Sequence, residues 1–343
     1  MSTKKCARYS GIGGQAVMEG IMMRNQGKFA IAVRKPDGDI EVKVDDYKSV
    51  INVPVLQKIP IVRGVVNFVD SLVVGIRCLL YSASFFEEEE ETEKKPSVPA
   101  EKAAEKTEEK KKKTESGTEK KEESDTLFIA GTMTLALVLA VVLFMVVPLF
   151  VSRKLGAALP PLGRSALESG IRVAVFLGYM VAISRMKDIQ RTFEYHGAEH
   201  KCINCIENGR ELTVDNVLIS SRQHKRCGTS FLFFVILVSI VFQMFIHSDN
   251  RLTQLGIRLL LIPVIAGVSF EIIRLAGISN HPLVNLLSKP GLALQKLTTR
   301  EPDASEAEVA IRAVEAVFDW RAFLGKNTAA DGAEVQDIKQ HAE

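Results

Sequence analysis

LFIAGTMTLALVLAVVLFMVVPLF, residues 127–150, runs for 24 positions without a charged side chain. A helix of that length rises about 36 Å, enough to cross a hydrocarbon core of about 30 Å. The stretch predicts a transmembrane helix, and the rest of the chain is read outward from it. SFLFFVILVSIVFQMFIH (230–247) is shorter and equally apolar, and a third run over 257–277, containing LLLIPVIAGVSFEIIRLAG, follows after a short polar turn. The fourth, GIRVAVFLGYMVAISRM (170–186), has a short apolar centre flanked by Arg172 and Arg185, whose long side chains can reach the interface. These four spans predict a membrane domain over 126–278, with a polar loop at 187–229.

Loop charge sets the expected orientation. The stretch 185–229 carries Arg185, Lys187, Arg191, Lys201, Arg210, Arg222, Lys225 and Arg226, whereas 248–257 carries only Arg251. Positive residues stay on the cytoplasmic side, so the loop and both termini are expected there. The N-terminus, MSTKKCARYSGIGG, has charges but no apolar run of signal-peptide length, in keeping with a cytoplasmic start.

Outside the spans, residues 1–58 read as a small cytosolic domain. KFAIAVRKPDGDIEVKV (28–44) alternates apolar and polar residues about a Pro-Asp-Gly turn, the pattern of a β-hairpin. Residues 59–86 are apolar but carry Arg63, Asp70 and Arg77 at seven-residue intervals on one helical face. Two readings stay open: an amphipathic helix on the membrane or on other helices, and a fifth membrane element whose charges line a polar interior. Residues 87–125 are almost wholly charged and polar, too little apolar surface to offset chain entropy, and are expected to be a disordered linker. The segment 279–325 is expected to be cytosolic with an amphipathic helix from Ser305, Ser305 and Glu308 forming its capping box; 326–343 reads as a loose tail. The fold class is thus mainly α: a polytopic helical membrane protein with about four spans, an amphipathic or re-entrant helix and a small N-terminal β-containing domain.

Five cysteines in 343 residues, Cys6, Cys78, Cys202, Cys205 and Cys227, are too few and odd in number for a disulfide framework, and point to reduced thiols or a metal site. A net charge of +3 with no aromatic-basic platform argues against nucleic acid as a partner. The chemistry-bearing residues gather in FEYHGAEHKCINC (193–205). His196, Glu199 and His200 stand at i, i+3 and i+4, so a helix would bring them to one face. His-x-x-Glu-His is the inverted zincin order, in which the imidazoles bind metal and the carboxylate serves as base. The bland alternative is a hydrogen-bonded polar knot holding the loop.

If a metal binds, two ligand sets compete. One is His196 and His200 completed by Glu271, His224 or Cys227, with Glu199 as base; the other is Cys202, Cys205, His224 and Cys227, a closed structural site. Glu271 lies in an apolar span, where a carboxylate needs a partner, and Arg274 is the simple one. GGQAVMEGIMMR (13–24) is glycine-rich without a phosphate-loop lysine; tight backbone packing and an internal Glu19–Arg24 pair are expected. Thr229 or Ser230 is expected to cap the helix that follows RCGTSF (226–231).

Together, GGQAVMEGIMMR, AVRKPDGDI, DIQRTFEYHGAEHK, RCGTSFL, PVIAGVSFEIIR and PGLALQKLTTREPD resemble the YqhQ family of bacterial multi-pass membrane proteins, in order and across nearly the whole chain outside 87–125 and the last residues. The family is uncharacterised and described as predicted metal-dependent enzymes. The resemblance implies an inner-membrane location and a shared polar set of His196, Glu199, His200, His224, Arg226, Cys227 and Glu271; it does not cover Cys202 and Cys205. One departure stands out: the family pattern reads His-Pro-Arg-Cys-Gly-Thr-Ser-Phe, and Lys225 takes the place of the proline here, leaving the turn freer.

Three functions are carried forward: a non-catalytic scaffold, channel or transporter component acting as a homo-oligomer in the lipid bilayer; a metal-dependent membrane hydrolase using zinc, with His196 and His200 as ligands; and a membrane-tethered regulator.

Overall fold

The computed structural model describes residues 9–93, 131–246, 250–279 and 281–325. Most of the expected linker, the C-terminal tail and Cys6 lie outside them. The architecture is mainly α, with long apolar helices and a small N-terminal antiparallel sheet. Two compact units form. The first draws on the chain up to Glu88, on Tyr179–Phe245 and on the chain from Ile257; the second is Glu89–Gly178 with Ile246–Gly256.

The sheet has the order β1 (Gly13–Val17), β2 (Gly20–Asn25), β3 (Lys28–Arg34), β4 (Ile40–Asp46). The expected β3–β4 hairpin is present, with Arg34 opposite Ile40 and Gly38 in the turn at φ +91°. The glycine-rich stretch, expected only to pack tightly, is itself a hairpin, closed by Met18 and Glu19, with Glu19 at φ +45°. Its glycines are needed where strands meet: a Cβ on Gly20 would lie 2.4 Å from the Ala32 carbonyl oxygen. Short two-residue turns of this kind favour positive φ because their twist matches that of the strands.

Both faces of the sheet are covered, which is why β2 and β3 read as continuous apolar runs. On one face Ile21, Met23 and Ala32 share a core with Tyr195, Ala198, Cys202 and Val309, which belong to α4 (Lys187–Glu207) and α9 (Ala304–Glu315). On the other, Val17, Met22, Ile31 and Val33 pack against Val74 and Cys78 of α1 (Val62–Glu93). The edge strand β4 carries Glu41, Lys43, Asp45 and Asp46 and is exposed, a charged edge that resists further pairing.

Four described helices are long and apolar enough to cross a membrane: Val62–Phe86 within α1, α2 (Gly131–Leu155), α3 (Pro161–Ile183) and Leu252–Ile278 within α7 (Arg251–Ile278). The apolar α6 (Gly228–Met244) is shorter. The helix that covers most of the expected 170–186 stretch starts earlier, at Pro161, and takes in Glu168 and Arg172, which pair one turn apart at 2.9 Å. In the second unit Arg172 also donates through Nε to the Phe144 carbonyl, 3.0 Å away, within a π-helical segment over Val142–Val146. A π-bulge loosens the regular ladder, and the buried guanidinium takes up a carbonyl there.

Several local expectations are corrected. The polar loop at 187–229 begins with the 21-residue α4, whose Tyr195, Ala198, Cys202 and Ile206 recur at helical spacing on a buried face. Glu19 pairs with Arg191, not Arg24, because the hairpin turn points at α4; Arg24 stacks on Tyr47 instead. The last amphipathic helix is capped by Asp303 with Glu306, two residues before the expected Ser305 and Glu308. The cap of α6 is Cys227, ahead of Thr229 and Ser230.

Candidate metal centre

The centre is assembled from α4, the N-terminus of α6, the loop with Arg222 that follows the short α5 (Val214–Leu218), and the C-terminal end of α8 (Pro282–Thr298). His196 and His200 lie on one face of α4 with ring centroids 4.4 Å apart. Cys227 caps α6, accepting the Thr229 backbone N–H at Sγ, and that sulfur lies 3.1 Å from His196 Nε2. The three ligand atoms all fall within 4.8 Å of one another.

Both imidazoles are oriented from behind. His196 Nδ1 is 2.8 Å from the Thr298 carbonyl oxygen, and His200 Nδ1 is 2.7 Å from that of Arg222. A carbonyl can only accept, so each Nδ1 carries a proton and Nε2 is the ring atom left for a ligand; on His196 an ion would displace the second proton, which faces the Cys227 sulfur. Metal-ligating histidines are characteristically held this way. A tetrahedral zinc sets donor separations of about 3.4 Å, so the group fits such an ion after a modest inward adjustment.

Charge is concentrated and dry here. Burial alone would raise the Cys227 thiol, but His196 and His200 bring it well below its usual value. Burial likewise opposes charge on His196, yet the adjacent Cys227 sulfur holds its pKa up at about 9. Glu199, buried on the same helical face, is pushed up by desolvation, against which the charges of His196 and His200 and, less, a hydrogen bond from the Gly14 backbone act. Gly14 is glycine for a reason: a Cβ there would meet the Met22 carbonyl at 2.5 Å and the Glu199 carboxyl carbon at 3.1 Å.

A family described as "Protein of unknown function (DUF1385)" matches residues 59–320. The "Uncharacterized protein YqhQ" of Bacillus subtilis is 33% identical over 318 residues, covering 92% of this chain and 94% of that one. The chain belongs to the YqhQ family. No solved structure matches it.

In this YqhQ-family chain the expected polar residues fall in three places. His196, Glu199, His200 and Cys227 form the centre. His224 turns to Glu207 (3.4 Å), which also takes Arg226 and both the N–H and hydroxyl of Ser10. Glu271 receives two hydrogen bonds from Arg63, each 2.6 Å, with Arg274 more distant at 3.8 Å. Cys202 and Cys205 lie in the apolar core, where the Cys205 thiol donates to the Glu211 carbonyl at 3.3 Å.

Lys225, expected to leave the turn freer, bonds Asn285 at 2.8 Å. The turn is held otherwise: Gln295 accepts from the His224 N–H and donates to its carbonyl, at 2.9 and 2.7 Å. Sequence reading missed Gly14 and the carbonyls of Thr298 and Arg222. A backbone acceptor leaves no mark on residue type, and Gly14 showed only as part of a glycine-rich run.

Proposed function

We propose that this protein is a membrane-anchored metal-dependent hydrolase. His196 Nε2, His200 Nε2 and Cys227 Sγ would hold a divalent ion, zinc being the best match to a two-imidazole, one-thiolate set. The observation that carries the reading is that both imidazoles spend their Nδ1 protons on backbone carbonyls while the ligand atoms of His196, His200 and Cys227 gather within 4.8 Å of one another. Three protein ligands leave a fourth position, the pattern of catalytic rather than structural zinc.

When bound, the ion would supply Lewis acidity toward water and a carbonyl. Glu199, desolvated and beside both histidines, is placed to take a proton from the attacking water and return it to the leaving group. His196 and His200 cannot rotate without losing their carbonyl bonds, which keeps the donors aimed. Helices long and apolar enough to cross a membrane, and the basic stretch 185–229, support a cytoplasmic-facing site in the inner membrane, with a membrane-borne peptide or lipid as substrate.

Elemental analysis of the purified protein tests this. About one zinc per chain is expected, lost in His196→Ala/His200→Ala. Full retention of metal by that double variant overturns the reading. Metal-free wild-type protein that self-associates in detergent would favour the non-catalytic oligomeric scaffold instead.

A further inference from the structure

By length and composition Val62–Phe86 passes for a spanning helix, 25 residues with a mean hydropathy of 1.5. Its packing speaks against a crossing. From Val74 onward α1 lies on the sheet, and Asp70 accepts hydrogen bonds from the Tyr47 hydroxyl (2.9 Å) and the Val50 N–H (2.8 Å). That sheet ends in the exposed, charged strand β4. Open sheet edges do not occur within hydrocarbon, so the sheet and the part of α1 lying on it stand outside the bilayer core.

The beginning of α1 is fastened to a helix that does qualify to cross. Gly64 meets Gly267 of α7 so closely that a Cβ on Gly64 would lie 2.8 Å from the Gly267 carbonyl oxygen, and Arg63 grips Glu271 in the next turns. Phe68 packs on Phe231 near the start of α6, ring centroids 5.5 Å apart. The face of α1 turned away from the sheet leaves Leu72, Leu79 and Leu80 exposed at 48, 46 and 44%. Val55, in the segment that leads into the helix, is 66% exposed. Arg77, on the helical face of Asp70, is exposed at the flank of this apolar face, beside Leu80.

We propose that α1 does not cross the membrane but lies on it, its inner face carrying the sheet and its outer face docked at the boundary between lipid headgroups and acyl chains. The occupant is lipid because this exposed apolar face belongs to a helix fastened through Gly64 and Arg63 to α7, which itself qualifies to enter the bilayer. Arg77 is suited to meet lipid phosphates while the leucines beside it enter the acyl boundary, the division of labour of an interfacial helix. The chain after α1 would then leave on the same side as the sheet.

Trp320 is the chain's one tryptophan, so a second reports cleanly by difference. Leu72→Trp, at an exposed position, is purified as the full chain and reconstituted in phosphatidylcholine vesicles brominated either near the headgroup or near the methyl end of the acyl chains. Leu72 would sit near the bilayer centre of a crossing helix and near its surface in a docked one. The expected result is quenching about twofold stronger from the shallow bromines. Leu260→Trp on α7, 79% exposed, is the deep control. Stronger quenching of Leu72→Trp by the deep bromines shows a crossing and overturns the proposal; quenching no greater than that of wild-type protein shows that lipid does not cover this face and overturns it equally.

Discussion

The Cys227 sulfur sits 3.1 Å from His196 Nε2, although 31 residues separate them in the chain. Two independent helices bring them together: α4 supplies the half-buried imidazole, and α6 supplies the thiol from its capping position. A helix N-terminus favours negative charge, so a thiolate there is suited to be a metal ligand.

Removing the base should separate chemistry from metal binding. Glu199→Gln keeps the size and the buried position, and is expected to retain zinc at the wild-type level while lowering turnover of a cleaved substrate by about 10²–10⁴. Metal content and single-turnover kinetics on the same preparation check both halves. A variant losing metal and activity together would make Glu199 a positioning residue.

Gly197 lies between His196 and Glu199 at a contact that admits no side chain: a Cβ would fall 2.0 Å from the Arg300 carbonyl oxygen. That segment is pinned to α4 by the Arg300 N–H on the Phe193 carbonyl at 2.9 Å. Gly197→Ala should therefore push the chain around Thr298 away from His196 and cost about 1–3 kcal/mol of stability. Thermal unfolding in detergent, with zinc content measured beside it, should show both falling.

The Arg63–Glu271 pair is 23% exposed on each side and bonded twice. Glu271→Gln strands a partly buried guanidinium and is expected to cost about 2 kcal/mol. Arg63→Met/Glu271→Met should be less destabilising than the sum of the two single changes. Additive losses in this double-mutant cycle would show that the pair contributes no coupling.

Glu207 gives the pH dependence a definite sign. Burial opposes its charge, but His224 and Arg226 outweigh that and lower its pKa from the usual 4.5 to about 2. Its folded-state value lies below the unfolded one, so its contribution is present above pH 4.5 and is lost as pH falls toward 2. The difference is on the order of 3 kcal/mol. Melting curves of Glu207→Gln between those limits should fall less steeply than those of the wild type.

The His-x-x-Glu-His spacing was legible because helical geometry relates three and four residues to one face. Cys227 was legible as one candidate among several, but its selection over Glu271 and His224 depends on tertiary partners, Arg63 and Glu207, that lie 208 and 17 residues away from them. The β3–β4 hairpin announced itself through alternation and a Pro-Asp-Gly turn. β1 and β2 did not: β2 is buried on both faces as β3 is, and its Met18-Glu19 turn lacks the proline and glycine that mark the turn before the exposed β4. Nor could hydropathy separate α1 from a spanning helix, because a leucine turned to a sheet and one turned to lipid look alike in sequence.

The sheet's place between α1 on one side and α4 with α9 on the other bears on how the chain can be divided. The family match opens at residue 59, yet Gly14 touches Glu199 and Ser10 holds Glu207. A homology boundary has been drawn through a folding unit. Truncations beginning at 59 would strip α4 and α9 of the surface they pack on, and metal or activity lost from such a fragment would report a broken scaffold, not the absence of a site.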